Sequence, residues 1–153
     1  MELVTITQAQ ATDIPALVDL LAELFSIEQD FQPDYEKQMR GLYMLLTDTE
    51  RSTVLVARNI DQKILGMVTA QLVISTAEGA YSAWVEDMVV TANARGKGIG
   101  RKLLEQINVW AKSKGASRAQ LLVDLDNQSA LDYYHHLAWQ STRLAARRIK
   151  INQ

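Results

Sequence analysis

The chain lacks several kinds of residue and segment, and each absence excludes a class of protein. It has no cysteine, which excludes disulfides, thiolate metal sites and a cysteine nucleophile, and favours a reducing, cytoplasmic location. No run of uncharged apolar residues is long enough to cross a bilayer. The first residues, MELVTITQAQATD, show no basic segment followed by an apolar one. We therefore predict a cytoplasmic protein that makes no use of a membrane.

The chain also lacks an excess of basic residues. Its 16 Lys and Arg residues stand against 18 Asp and Glu residues, for a formal net charge of -2, which argues against a nucleic-acid-binding protein. Small molecules or another protein are the expected partners. No linker, internal repeat or low-complexity tract interrupts the 153 residues, so we predict a single domain over residues 1–153.

Hydrophobic periodicity predicts a mixed α/β fold, with antiparallel strands first and a strand-helix-strand unit later. Helices are expected over residues 13–25, 35–46, 99–114 and 127–137. Strands are expected over residues 3–7, 53–58, 64–74, 81–90, 119–124 and 139–151.

Three glycines at alternate positions, Gly96, Gly98 and Gly100, come directly before a helical pattern. The first turn of a helix has N–H groups without internal partners, and glycine lets an anion approach them closely. Four basic side chains lie around the same point: Arg95, Lys97, Arg101 and Lys102. The stretch fits neither the dinucleotide nor the Walker glycine pattern. It indicates a phosphate site, and a flexible turn is the alternative.

The stretch Arg95 to Gly100 resembles the signature R/Q-x-x-G-x-G/A of the GCN5-related N-acetyltransferases (GNAT), and it follows the apolar run VEDMVV as in that family. A later segment reads N-x-x-A-x-x-Y-Y, also as in that family. The resemblance covers essentially the whole chain. It implies an α/β (α+β) fold with a mixed, mostly antiparallel sheet of about six to seven strands flanked by about four helices.

The same resemblance implies that the cofactor is acetyl-CoA. Its pyrophosphate would bind the backbone amides from Gly96 to Gly100, including Ile99, and its pantetheine arm would follow Met88, Val89 and Val90. In that family the fourth and fifth strands splay apart to form this slot. The implied activity is transfer of an acetyl group to a primary amine by direct attack. A non-catalytic acyl-CoA-binding or regulatory domain is the alternative.

Acetyl transfer needs a base for the amine and an acid for the departing thiolate. Glu86 and Asp87 lie in an otherwise apolar strand, and neighbouring residues of a regular strand point to opposite faces. The resemblance places a base here, often acting through water, and we favour Glu86 with Asp87 in reserve. An ion pair with a flanking helix is the alternative for either residue.

The resemblance also assigns Tyr134 as the acid and Asn127 as a cofactor contact. Tyr134 fits the apolar stripe of its helix as well, so a core tyrosine is the alternative. Family members commonly have glycine after this helix, where this chain reads His136-Leu137-Ala138-Trp139.

The acceptor is expected to be a small-molecule or peptide amine. The resemblance places the acceptor pocket near Phe25, Glu28, Asp30 and Trp84, and negative charge there would favour a cationic amine. A solvated acidic loop is the alternative for Glu28 and Asp30. The neighbours His135 and His136 cannot easily chelate one metal, so no metal site is expected. The basic residues of the last predicted strand are typical of a protected sheet edge, and a homodimer through that edge stays open.

Overall fold

The computed structural model describes residues 3–28 and 31–152. The described residues form five β-strands and four α-helices, with short 3-10 helices at Ala11–Asp13 and Ala92–Ala94. In chain order the elements are β1 (Thr5–Gln8), α1 (Ile14–Ile27), α2 (Tyr35–Thr47), β2 (Ser52–Arg58), β3 (Ile64–Ser75), β4 (Ala80–Val90), α3 (Ile99–Ser113), β5 (Ala116–Leu121) and α4 (Gln128–His136).

The strands form one sheet in the order β1-β2-β3-β4-β5. Neighbours from β1 to β4 are antiparallel, and β5 is parallel to β4. A parallel neighbour requires a crossover, which α3 provides. The mixed, mostly antiparallel sheet and the four helices are therefore confirmed. The expected count of about six to seven strands is wrong, because the described residues contain five.

Helices cover both faces of the sheet. On one face, α1 and α2 bury a cluster of apolar side chains that includes Val56 and Met67. On the other face, α3 comes so close to β3 that a Cβ atom added to Gly66 would lie 3.3 Å from a methyl group of Leu103. Gly66 and Met67 are neighbours in β3 and point to opposite faces. The sheet is thus a layer between two sets of helices, and β4 lies in it between β3 and β5.

The strand predicted over residues 139–151 does not form. Residues 139–152 contain no β-strand, and residues 140–152 are all exposed. Alternation of apolar and basic side chains gives the segment strand character, but a strand also needs a hydrogen-bonded neighbour. The strand predicted over residues 119–124 is displaced as well, since β5 occupies Ala116–Leu121.

The chain divides into two compact units, Met1–Leu122 and Val123–Gln153. The first contains the sheet with α1, α2 and α3, and the second contains α4 and the residues around it. A single domain over residues 1–153 stays a prediction. None of the helices in the described part of the chain is long and apolar enough to cross a membrane.

Candidate active site

A β-bulge interrupts the pairing of β3 with β4. Thr69 pairs with Glu86 and Met67 pairs with Val89, so two residues of β4 lie opposite one residue of β3. The Thr69 hydroxyl donates a hydrogen bond to the Glu86 carbonyl, at 3.1 Å. In the bulge, Asp87 has a φ angle of 53°, in the left-handed region. Regular alternation therefore does not hold here, and the opposite-face argument for Glu86 and Asp87 fails.

The bulge places the Asp87 carboxyl group in a poorly hydrated position. Burial raises its pKa, and the nearby charges of Glu86 and Glu28 raise it further, to about 7. Glu28 is the residue at the C-terminal end of α1. The carboxyl group can therefore take up and release a proton near neutral pH, as a general base must.

Glu86 has different surroundings from its neighbour. Its side chain is exposed and accepts a hydrogen bond from the indole N–H of Trp84, two residues earlier on the strand. The side chains of Trp84 and Glu86 therefore lie on the same face of β4. Within the described residues, ion pairs join Arg58 to Asp13 and Arg101 to Glu105, and none involves the carboxylates of the bulge.

The glycine stretch leaves bare backbone at the start of α3. Gly96 and Gly98 have φ angles of 78° and 81°, and a Cβ atom added to either would meet nothing within 4 Å. Gly98 is the N-cap residue, no side chain caps the helix, and its first turn contains no acidic residue. The amides of this turn are thus open to an anion, and the helix dipole adds partial positive charge.

The pairing of β4 with β5 stops before β4 ends. The splayed arrangement that the resemblance implies stays a prediction. Pairing of β4 with β5 runs from Tyr81 to Val85 and ends at Leu121. β4 continues for five residues to Val90, and this extension has no neighbour on the β5 side among the described residues. Met88, Val89 and Val90 therefore lie on the part of β4 that has no paired strand on its β5 side among the described residues.

The predicted phosphate-binding cations are placed around the loop in different ways. Arg95 donates a hydrogen bond from Nε to the Val90 carbonyl, at 2.8 Å, and so joins the loop to the end of β4. Arg101 is paired with Glu105 at 3.0 Å on the exposed face of α3. Lys97 and Lys102 are exposed.

Glu23 of α1 is a site residue that the sequence did not indicate. Its carboxylate accepts hydrogen bonds from the Thr91 hydroxyl, at 2.9 Å, and from the Ala92 amide, at 3.2 Å. It therefore fixes the start of the loop that leads to the glycines. The sequence shows only that a carboxylate lies in an apolar helix, and it does not indicate which groups bind that carboxylate.

Aromatic side chains lie beside the acidic end of α1. The Phe25 ring is 5.4 Å from the ring of Phe31, centroid to centroid, at a tilted angle. Phe25 is partly buried against the core, and 44% of Phe31 is exposed. Asp30, the remaining predicted acceptor residue, lies outside the described residues.

The second unit contains Asn127 and Tyr134. The Asn127 side chain caps α4 by accepting a hydrogen bond from the Ala130 amide, at 3.1 Å. The Tyr134 ring makes an edge contact with Trp139, with centroids 6.1 Å apart. The Trp139 amide donates to the Tyr134 carbonyl, which closes the helix with the hydrogen bonds of a Schellman motif. Local packing therefore fixes the orientation of Tyr134 on its own helix.

Comparisons with known proteins agree with this architecture. The family model of the acetyltransferase (GNAT) family matches residues 14–139. The chain is 25% identical over 133 residues to aminoglycoside N(6′)-acetyltransferase type 1 of Acinetobacter genomosp. 13, a match that covers 84% of this chain and 90% of that protein. It is 30% identical over 101 residues to L-2,4-diaminobutyric acid acetyltransferase of Halomonas elongata, which covers 65% of this chain and 51% of that protein.

The match thus spans about half the length of the Halomonas protein. Among solved structures, a possible acetyltransferase from Clostridium difficile 630 superposes with a TM-score of 0.86 at 20% identity, covering 99% of this chain and 100% of the other. Since the family model spans most of the chain, the chain belongs to the acetyltransferase (GNAT) family.

Proposed function

We propose that the chain transfers an acetyl group from acetyl-CoA to a primary amine by direct attack. The observation that carries this proposal is the arrangement at the carboxyl end of β4. The strand ends without a paired neighbour on its β5 side among the described residues, and it is followed by Arg95 and by the uncapped N-terminus of α3 at Gly98. The absence of cysteine leaves no thiol to carry an acyl-enzyme, which supports direct attack.

The residues at this place fit coenzyme A. The open amides after Gly96 and Gly98 suit its pyrophosphate, and a strand edge suits the amides of its pantetheine arm. When bound, acetyl-CoA supplies an acetyl group activated as a thioester. The proposed cofactor-binding residues are Met88, Val89, Val90, Arg95, Gly96, Lys97, Gly98, Ile99, Gly100, Arg101, Lys102, Asn127 and Tyr134.

The proposed base is Asp87. An amine is largely an ammonium ion near pH 7 and must lose a proton before it can attack. The pKa of Asp87 lies at about 7, so a large fraction of its carboxyl groups is ionised and able to accept that proton. Glu86, which the sequence favoured, is exposed and is the alternative base, acting through a water molecule.

The proposed acid is Tyr134, whose phenol would protonate the departing thiolate. Its support is the family motif together with the packing of its ring on Trp139, which fixes the side chain on α4. A tyrosine that serves only packing would tolerate phenylalanine, whereas a proton donor would not.

The proposed acceptors are small amines that carry a second positive charge. The carboxylates of Glu28, Glu86 and Asp87 lie close enough together to shift a pKa, and such a cluster attracts cations. The names of the two curated relatives are consistent with this class, since they specify an aminoglycoside and a diamino acid. Two side chains would supply apolar surface: Trp84, whose indole N–H donates to Glu86, and Phe25, in the last turn of α1 before Glu28.

Calorimetric titration with acetyl-CoA tests the cofactor site. We expect the wild-type chain to bind and Gly98→Val to lose at least roughly tenfold in affinity, because a side chain there blocks charge-assisted hydrogen bonds worth about 1.5–3 kcal/mol each. Gly79→Val is the matched control. Gly79 also has a positive φ, of 65°, and open space, but it lies just before the opposite end of β4. Equal losses in the two variants would assign the effect to backbone strain.

Release of coenzyme A, followed with a thiol reagent, tests catalysis. Since the chain has no cysteine, every thiol that appears belongs to the product. A chain that binds acetyl-CoA but releases no thiol with any diamine or aminoglycoside would support the non-catalytic alternative. In the same assay, an unchanged turnover of Tyr134→Phe would remove Tyr134 from the mechanism.

A further inference from the structure

Thr91 and Ala92 form the corner between β4 and the glycine stretch (residues 95–100), and this corner depends on a side chain of α1. Thr91 is the N-cap residue of the short 3-10 helix Ala92–Ala94, but its side chain makes no capping hydrogen bond. The Thr91 hydroxyl donates instead to Glu23, at 2.9 Å, and the Ala92 amide donates to the other oxygen of the same carboxylate, at 3.2 Å. Glu23 therefore takes the part that a local capping side chain has at most helix starts.

These two hydrogen bonds join elements that are far apart in the chain. The donors lie 68 and 69 positions after Glu23. The Thr91 backbone is fixed separately, because its amide donates to the Leu65 carbonyl, at 2.8 Å. The Ala92 amide has no acceptor other than Glu23 among the described residues. Removal of the carboxylate would thus release this amide and the Thr91 hydroxyl, and would leave the pairing of β4 with β3 in place.

The glycine stretch after the corner contains two residues of high conformational freedom. Gly96 and Gly98 have positive φ angles and open space around them, and glycine loses more freedom on ordering than any other residue. Arg95 supplies one anchor, from its Nε to the Val90 carbonyl, at 2.8 Å. Glu23 supplies another, at the corner. Backbone that is ordered before a ligand arrives binds it more tightly, because less conformational entropy is lost on binding.

We propose that Glu23 is a positioning residue of the cofactor site. It fixes the corner and thereby orders the backbone amides of the glycine stretch for the pyrophosphate of acetyl-CoA before that cofactor binds. Its carboxylate acts through the loop and takes no part in the proton transfers. The proposal rests on the proposed function for the identity of the ligand. It adds to the site a residue that belongs to neither the glycine signature nor the bulge of β4.

A negative charge near a phosphate site has a second effect, of opposite sign. Repulsion weakens the binding of an anion, so by this effect alone the removal of Glu23 would strengthen it. Both carboxylate oxygens, however, accept hydrogen bonds from the corner. Hydrogen bonds to a charged group are stronger than those between neutral groups, whereas repulsion between groups in contact with solvent is screened by salt. We therefore expect the ordering effect to exceed the repulsion.

Calorimetric titration with acetyl-CoA tests the effect on the cofactor. We expect Glu23→Ala to lose roughly tenfold in affinity, the scale of a hydrogen bond to a charged group. Glu23→Gln should recover most of this loss, because its amide oxygen can accept from the Ala92 amide and its NH₂ group can donate to the Thr91 hydroxyl. Asp19→Ala is the matched control. Asp19 is exposed one turn earlier on α1, and its carboxylate has no hydrogen-bond or ion-pair partner in the described part of the chain, so the affinity should change by less than about twofold.

Steady-state kinetics separates positioning from a general loss of structure. Loss of a positioning residue raises the KM for acetyl-CoA and leaves kcat at saturating acetyl-CoA within about twofold, whereas a partly unfolded enzyme loses kcat at an unchanged KM. Addition of Thr91→Val to Glu23→Ala should lower the affinity little further, because the acceptor of the Thr91 hydroxyl is already absent.

Amide hydrogen exchange in the chain without cofactor tests the ordering itself, independently of the ligand. The amides of residues 92–98 should exchange faster in Glu23→Ala than in the wild-type chain or in Asp19→Ala. Equal exchange in all three chains would overturn the proposal. An affinity for acetyl-CoA that is unchanged or higher in Glu23→Ala would do the same, and so would a fall in kcat at an unchanged KM.

The two proposals fail in different ways. A wild-type chain that binds no acetyl-CoA would overturn the proposed function and the role of Glu23 together. A wild-type chain that binds acetyl-CoA no better than Glu23→Ala would overturn the role of Glu23 alone.

Discussion

The backbone takes a positive φ angle at two places near the carboxyl end of β4, and the two differ in what they display. Asp87 has a φ of 53° inside the strand, whereas Gly96 and Gly98 have 78° and 81° in the loop that follows. A positive φ angle destabilises the folded state by roughly 1–2 kcal/mol at a residue with a Cβ atom, but not at glycine. The glycines present bare backbone amides. Asp87 presents a carboxylate at a point where the side chains of β4 do not alternate regularly between the two faces of the sheet.

The proposed site would thus use the backbone of the glycines and the side chain of Asp87. A strained residue persists where the surrounding structure holds it, and such strain concentrates at functional sites. Asp87 fits that description, since its neighbours also raise its pKa. Ala138 also has a positive φ, of 70°, just after α4, and no bulge accounts for it.

The largest expected effect is on turnover, and it separates the two carboxylates of the bulge. Asp87→Asn keeps the shape and tolerates a positive φ, but it cannot accept the proton. We expect kcat to fall by roughly a hundredfold or more, the usual scale for a general base. Glu86→Gln should lower it by less than about tenfold. Steady-state kinetics at saturating acceptor measures both.

The pH profile gives this comparison a second readout. In the wild-type chain kcat/KM should rise with pH through about 7, as Asp87 loses its proton, and this step should be absent from Asp87→Asn. If Glu86→Gln instead abolishes the step and Asp87→Asn keeps it, Glu86 is the base.

A smaller effect is expected on stability. The folded state raises the pKa of Asp87 from 3.8 to about 7, so between these values the folded chain holds a proton that the unfolded chain releases. Unfolding free energy should therefore fall as pH rises across this window, by up to about 1.4 kcal/mol per pH unit, and level off above it. Denaturant titrations at several pH values measure this slope.

The contribution of Asp87 appears in the difference between the wild-type chain and Asp87→Asn. The asparagine variant should gain stability relative to wild type from pH 4 to pH 7. A difference that does not change with pH would mean that the carboxyl group is well hydrated, and its proposed role as a base would lose its physical ground.

The sequence predicts those parts of the molecule whose signals are local. The glycines at 96 and 98 lie directly before the apolar spacing of α3, and a helix start needs only these neighbours. The hairpin of β2 and β3 follows from two apolar runs and one polar turn. The family signature likewise predicts which part of β4, from Met88 to Val90, has no strand paired on its β5 side among the described residues.

The sequence does not predict features that depend on distant partners. The run VEDMVV reads as a regular strand, and nothing in it marks the bulge at Asp87, which the pairing with β3 reveals. Glu23 accepts a hydrogen bond from Thr91, which is 68 positions away in the chain, and no local sequence pattern indicates such a pair. Residues 139–151 have the pattern of a strand because alternation is local, but a strand exists only where a neighbour provides hydrogen bonds.

The smallest expected effect concerns Ala138, whose φ angle is positive. Ala138 occupies the position after the C-cap of α4 where a Schellman motif favours glycine, and its side chain is exposed. Ala138→Gly should therefore raise the unfolding free energy by roughly 0.5–1 kcal/mol, measured as a shift of the denaturation midpoint. Ala22→Gly is the matched control, because Ala22 lies in the middle of α1 and glycine destabilises a helix interior by about 1 kcal/mol. The same chemical change should thus have opposite signs at the two positions. A loss of stability at both would mean that the chain after α4 relaxes in solution to a conformation in which alanine is not strained.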